Sequence, residues 1–143
     1  MEVLRDNLDE CGLPGAVAAV GERWTLMILR AAFNGVRNFE DFLALLGIAR
    51  NILANRLAKL VELAIMERVP MQDDRRKVEY RLTDKGIDLL PALLALRQWG
   101  EKHGLGVPSN PVLTDSRDNL PIELIRLHAA DGRVIEWRDL HWL

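Results

Sequence analysis

Apolar and polar positions recur along this chain with two different periods, and the change of period marks its elements. Up to about residue 63 the period is helical. Ala16–Val20 predicts a short first helix ending near Gly21. Trp24–Phe33 predicts a second, apolar at Trp24, Met27, Ile28 and Phe33 and stopped by Asn34-Gly35. Asn38 is placed to cap a third helix, Phe39–Leu46, with Phe39, Phe42, Leu43 and Leu46 at helical spacing. Gly47-Ile48 reads as a tight turn, and a fourth helix runs from about Arg50 to Leu63. A period of two then takes over. Ile65–Met71 and Val78–Leu82 predict a hairpin around Gln72–Lys77. Thr83 begins a long helix to about His103, followed by a Gly/Pro linker, Gly104–Pro111. The tail alternates around Ile122–Leu127 and Arg133–Trp137, with Ala130-Asp131-Gly132 as a hairpin turn between them.

Helix, hairpin and helix in this order predict a mainly α fold with a small β wing (α+β): a winged helix-turn-helix with a long C-terminal dimerisation helix and a short C-terminal β appendage. The expected divisions are an N-terminal arm (1–13), a winged-helix DNA-binding and dimerisation domain (14–103), a linker (104–111) and a β-hairpin extension (112–143). On the long helix, Ile87, Leu89, Leu90, Ala92, Leu93, Leu94, Leu96 and Trp99 cover more than one stripe. A helix that apolar needs two surfaces to bury against, its own domain and a partner subunit. Leu89, Leu93, Leu96 and Trp99 are the candidate dimer contacts. Pro91 removes the hydrogen bond to the Ile87 carbonyl and predicts a bend.

A rotation of 100° per residue from Arg50 sorts the fourth helix into two faces. Leu53, Leu57, Leu60, Val61 and Ala64 form the core side, and Arg50, Asn51, Ala54, Asn55, Ala58, Lys59 and Glu62 the other. Arg50, Asn51, Ala54 and Asn55 lie in the first turns, where a recognition helix meets base edges. Arginine pairs with guanine, asparagine with adenine, and alanine allows close approach or touches a thymine methyl. Lys59 and the hairpin-tip cations Arg75, Arg76 and Lys77 are candidates for phosphate contact. Arg56 projects toward the edge of the core face, where an internal ion pair and a DNA contact are both open. Asp73-Asp74 either dilute the phosphate affinity of the wing or fix its shape.

Composition adds limits. With 143 residues, 49% of them apolar and 28% charged, the chain is the size of one soluble domain with a core. No apolar run approaches the roughly 18 residues of a membrane helix. The first residues do not resemble a signal peptide, and one cysteine allows no internal disulfide framework, so a reducing cytoplasm is the expected location. The net charge of −2 is unevenly placed: residues 50–81 carry eight cations against five anions, net +3, leaving −5 elsewhere. Such a face suffices for DNA, because phosphate attraction acts over about 8–10 Å at ordinary salt. The excess is modest, so tight binding is expected to need two copies. His103, His128 and His141 lack metal-ligand spacing, and neither a phosphate-binding Gly-rich loop nor a nucleophile elbow occurs. No metal, cofactor or enzyme activity is therefore expected.

These residues resemble the HxlR-type winged-helix transcriptional regulators of bacteria, cousins of the MarR group. The match covers Cys11 through Gly100. It runs through Gly21-Glu22-Arg23-Trp24-Thr25-Leu26-Met27-Ile28-Leu29-Arg30, then Gly35, Phe39, Gly47-Ile48, Arg56-Leu57 and Leu60, then Val78-Glu79-Tyr80-Arg81-Leu82-Thr83, Gly86, Leu90-Pro91 and Trp99-Gly100. The resemblance implies a homodimer held by its long terminal helices and bound to double-stranded DNA at palindromic operators. By position it places Arg50, Asn51 and Asn55 on the recognition helix and Arg75, Arg76 and Lys77 on the wing. Four positions depart from the family's pattern: Ala49 for a Ser cap, Arg50 for Pro, Asn51 for a basic residue and Asn38 for Arg.

Three further readings accompany this one. Cys11 stands at the family's N-terminal cysteine, which in some members senses oxidants or electrophiles. Sensing needs a thiolate, which nearby cations or a helix N-terminus favour; Asp9 and Glu10 immediately precede it and oppose this, with Arg5 and Arg23 the available cations, and a buried structural thiol is the alternative. A small apolar effector is expected in the space between the long helix, Trp24 and the facing subunit's tail. A winged helix that binds a partner protein instead of DNA is the competing function.

Overall fold

The computed structural model describes residues 10–104 and 108–141. Among these residues six α-helices and two small sheets follow one another as α1 (Gly12–Val20), α2 (Arg23–Phe33), α3 (Phe39–Leu46), α4 (Arg50–Glu62), β1 (Met66–Pro70), β2 (Val78–Leu82), α5 (Asp84–Ile87), α6 (Leu90–His103), β3 (Leu127–His128) and β4 (Val134–Ile135), before a 3-10 turn at Trp137–Asp139. This is the winged helix-turn-helix architecture, mostly helical with a two-stranded wing. The chain divides into two compact units at the Leu90–Pro91 bond.

In the N-terminal unit, side-chain caps set most helix starts. Glu22 accepts from the Thr25 amide, Asn38 from the Asp41 amide and Thr83 from the Gly86 amide. Each satisfies an amide that the first helical turn leaves without a partner. Helix α4 starts at Ala49 without a side-chain cap. The core collects Ile28, Leu29, Ala31 and Ala32 of α2, Phe42 of α3, Leu53, Leu57 and Leu60 of α4, and Ile48, Ile65 and Met66. Gly47, at φ 62°, makes the left-handed turn between α3 and α4 that a side chain would resist. Strands β1 and β2 pair antiparallel from Met66↔Leu82 to Pro70↔Val78. The Tyr80 amide donates to the Arg37 carbonyl at 2.6 Å, tying the wing to the α2–α3 connection.

Three expectations need correction. Thr83–His103 is not one helix. It ends at Ile87, passes through Asp88-Leu89 and restarts at Leu90. Pro91 thereby sits in a first helical turn, where its missing N–H costs nothing and its ring meets no preceding helical carbonyl. Helix α1 begins at Gly12, four residues earlier than expected, because Cys11 supplies a cap.

Ala64 is exposed, not core, because α4 stops at Glu62 and the 100° rotation no longer applies to it. It adopts φ 57° while the Ala64 amide donates to the Val61 carbonyl and the Ile65 amide to the Leu60 carbonyl. That is a Schellman ending with alanine where glycine is favoured. Ala64→Gly is expected to raise stability by about 0.5–1 kcal/mol, read as a higher urea midpoint at constant slope. A lower midpoint would show that the left-handed turn carries no strain.

In the C-terminal unit, the tail is laid along α6 by side chains of that helix. Gln98 uses both ends of its amide, Nε2 donating to the Glu123 carbonyl (3.2 Å) and Oε1 accepting from the Ile125 amide (2.7 Å). Arg97 pairs with Glu101 at 3.2 Å and donates to the Pro111 carbonyl. The expected hairpin is present but short: β3 and β4 pair only through Leu127↔Ile135 and His128↔Val134. The Ile122 end of the first segment instead follows a lone bridge, Thr114↔Pro121.

Candidate nucleic-acid interface

Helix α4 presents two unlike faces because its apolar residues recur at three- and four-residue intervals. Leu53, Leu57 and Leu60 are buried, while Asn51, Ala54, Asn55, Ala58 and Lys59 are exposed. The C-terminal end of the helix is held twice. Lys59 Nζ donates to the Ala18 carbonyl of α1 (3.0 Å), and Lys85 Nζ donates to the Leu63 carbonyl just past the C-terminus of α4 (2.7 Å). Lys85 places a cation where the helix dipole is negative. The sequence reading had assigned Lys59 to phosphate and had not singled out Lys85.

Most cations of this face already have an internal partner. Arg50 forms a two-pronged pair with Glu40 of α3, Nη1 to Oε1 at 2.9 Å and Nη2 to Oε2 at 3.1 Å, and lies over the Phe39 ring. The Arg50 hydrogen bonds hold the Glu40 carboxyl below its ordinary range, and Glu40 holds the Arg50 guanidinium charged to higher pH. Arg56 Nε donates to Glu22 Oε2 at 3.0 Å, which settles in favour of the ion pair. That contact is the main cause of the Glu22 carboxyl falling to about 2, with burial opposing it and the Thr25 and Trp24 amides assisting. In sequence these pairs are 10 and 34 residues apart, so no helical spacing announced them.

An exposed pair such as Arg50–Glu40 contributes little stability, about 0–1 kcal/mol. It does keep a cation from phosphate. Glu40→Gln is therefore expected to leave the urea midpoint nearly unchanged. It should strengthen binding to random duplex and steepen its salt dependence by about one charge per chain. A salt slope identical to that of the parent chain would mean that Arg50 stays off DNA.

The wing is shaped by one of its aspartates. Asp74 Oδ1 accepts from the Arg76 amide (3.1 Å) and Arg76 Nε (3.3 Å), the Lys77 amide donates to the Asp74 carbonyl, and the Met71 amide to the Lys77 carbonyl. Asp74 thus fixes the loop and partly neutralises Arg76. Arg75 and Lys77 are exposed and pair with no carboxylate among the described residues. Arg68 lies over the Tyr80 ring and Arg81 pairs with Glu79 at 2.9 Å.

The remaining named residues fall elsewhere. Leu89 and Leu93 are half-buried, whereas Leu96 and Trp99 are 58% and 64% exposed on α6. Trp24 is half-buried with the Arg23 guanidinium over its ring. Cys11 is exposed, contrary to a buried structural thiol, and its Sγ accepts from the Leu13 amide at 3.5 Å. Among the described residues no group of three or more metal-ligating side chains occurs. Among the described residues no helix is long and apolar enough to cross a membrane.

A family model described as HxlR-like helix-turn-helix matches residues 19–106. The chain is 50% identical over 96 residues to the uncharacterised HTH-type transcriptional regulator MT3179 of Mycobacterium tuberculosis, a stretch covering 67% of this chain and 60% of that relative. It thus spans less than two thirds of that relative's length. Among solved structures it resembles PA1607, described as a candidate transcription factor, at 36% identity, TM-score 0.87 and 96% coverage of both chains. It also resembles the redox regulator HypR in its oxidised form, at 26% identity and TM-score 0.60, over 65% of this chain and 97% of that one.

Proposed function

The chain belongs to the HxlR-like helix-turn-helix family and is by that membership a DNA-binding regulator, not an enzyme; from this premise we propose that it is a cytoplasmic homodimer repressing from a palindromic operator. The observation that carries the reading is the pairing of exposed Asn51, Ala54 and Asn55 on α4 with the uncompensated wing cations Arg75 and Lys77 in the same unit. The first group suits base edges and the second suits phosphates. Arg50 joins the base readers by exchanging Glu40 for a guanine edge. Arg76 and Lys59 contribute less to phosphate, because Asp74 offsets the charge of the first and the Ala18 carbonyl holds the second against α1.

Dimerisation is supported by the apolar surface that α6 leaves open at Leu96 and Trp99, beside the half-buried Leu93; Leu89, half-buried in the N-terminal unit, is a further candidate contact. A symmetric dimer sets two recognition helices about 34–36 Å apart, one turn of duplex. Selection from a random duplex pool at two salt concentrations tests this: an enriched palindrome with half-sites one turn apart is expected. Absence of binding at either salt, with capture of a protein partner, would replace it with the protein-interaction reading.

A second reading rests on Cys11. An exposed thiol at a helix cap, in a chain similar to a redox regulator, suits a switch. Mild oxidation is then expected to change operator affinity in the parent chain and not in Cys11→Ser; equal responses would remove it. A small apolar effector, expected between the long helix, Trp24 and the facing subunit's tail, is a third reading; within the C-terminal unit an open cavity of about 380 Å³ is lined by Leu94, Val112 and Ile122 together with Arg97, Gln98 and Glu101. Thermal-shift screening that finds no compound altering operator affinity would count against it.

A further inference from the structure

Asn55 is the exposed amide of the recognition helix whose orientation is imposed by a neighbour. Its Oδ1 accepts from Arg56 Nη1 at 2.8 Å. A guanidinium only donates hydrogen bonds, so the amide oxygen must face it and the amino group must face away. An unrestrained asparagine is free to turn either end toward a base. This one is not, because Arg56 is itself fixed.

The fixing runs inward in two steps. Arg56 Nε donates to Glu22 Oε2 at 3.0 Å, and the same oxygen accepts from the Thr25 amide (3.0 Å) and the Thr25 hydroxyl (3.2 Å). Thr25 is buried, at 3% exposure, in the first turn of α2. The chain of contacts therefore starts in the core, passes through the cap of α2 and a half-buried guanidinium, and ends on an exposed amide. The carboxylate stays ionised at any physiological pH, since its pKa is about 2. Arginine suits the middle position because its planar fork makes two directed bonds at once, one to each neighbour.

The electrostatics select a base edge. Adenine offers an acceptor, N7, beside a donor, the N6 amino group; guanine offers two acceptors, N7 and O6. Beside Asn55 the surface carries an amino group turned outward and a guanidinium cation. An adenine amino group brought to the amide oxygen would face that cation, donor against donor. A guanine edge meets donors only. We propose that Glu22 and Arg56 are specificity-positioning residues that hold the Asn55 amide as a hydrogen-bond donor, so that Asn55 reads guanine in preference to adenine. This replaces the adenine pairing expected of an unrestrained asparagine, and it rests on the DNA-reading role proposed above.

The test compares selected operators for four full-length chains: the parent, Asn55→Ala, Arg56→Met and Glu22→Gln. Glu22→Gln keeps a neutral oxygen for the Thr25 amide and so preserves the cap. Thermal unfolding accompanies each selection to establish that the variants are folded. Asn55→Ala identifies the position in each half-site that Asn55 reads, as the one whose preference is lost. At that position the parent is expected to favour guanine. Arg56→Met is expected to shift the ratio of adenine to guanine by roughly five- to tenfold toward adenine, with Glu22→Gln moving it the same way by less, and other positions unchanged. A loss of stability alone would weaken all positions together, so a shift confined to one reports positioning. Adenine dominant in the parent at that position, or an unmoved ratio in a folded Arg56→Met chain, would overturn the proposal while leaving the regulator intact. No enriched sequence in the parent would overturn both.

Discussion

Gly86→Ala is expected to destabilise the N-terminal unit by about 3 kcal/mol. Gly86 is buried in α5, and a Cβ built on it would stand 2.2 Å from the Ile65 carbonyl oxygen and 3.1 Å from Leu82 Cδ2. The leucine can turn aside. The carbonyl cannot, because it already accepts from both the amide and the hydroxyl of Thr83, at 3.1 Å each. Moving it breaks the cap of α5 or pulls the first residue of the wing out of register. Overpacking a close-packed interior costs about 1–3 kcal/mol, and the upper end applies where backbone meets backbone. The readout is the urea midpoint at unchanged slope. Gly15→Ala is the control: an added Cβ there meets nothing within 4 Å, and an exposed helical position gains about 0.5–1 kcal/mol from losing a glycine. If Gly86→Ala unfolded at the parent's midpoint, the close approach of α5 to the start of β1 would be wrong.

The double change Arg75→Ala with Lys77→Ala is expected to weaken binding to every duplex alike, by roughly tenfold or more at physiological salt, without changing which sequence is preferred. These are the wing cations that pair with no carboxylate among the described residues. In a dimer the change removes four charges, and each phosphate contact contributes about 0.9 to the slope of log affinity against log salt. The slope should therefore flatten by roughly three to four. Arg76→Ala alone should do less, because Asp74 already neutralises much of that charge. A slope that stayed put, or a changed operator sequence, would remove the wing from the phosphate backbone.

The wing strand, α3 and the start of α4 were legible because local signals mark them. Alternation sets Val78–Leu82, Asn38 and Gly47 bracket Phe39–Leu46, and α4 follows the turn at once. The long helix near the C-terminus is present, but its start was misread because apolar periodicity runs through Asp88-Leu89, and periodicity does not register a backbone break; Pro91 carried that signal, and its place in a first turn is the better reading of it. Ala64 was misplaced by extending a helical phase past the helix. Of the candidate site, the exposed face of α4 and the wing tip follow from short-range pattern. The partners of Arg50 and Arg56 do not, since only folding brings Glu40 and Glu22 beside them. Lys85 was hidden for the same reason: nothing within one helix shows that it reaches the end of another.

The carboxylates that hold Arg50, Arg76 and Arg81 bear on how quickly a chain like this finds its site. A chromosome offers millions of wrong positions for each right one, and time lost at them is set by charge alone. Cations already matched within the protein make each wrong stop brief. Only where bases and phosphates together outbid the internal carboxylates does the residence lengthen. On the proposed function, such a molecule would trade grip for turnover during its search and recover the grip at an operator.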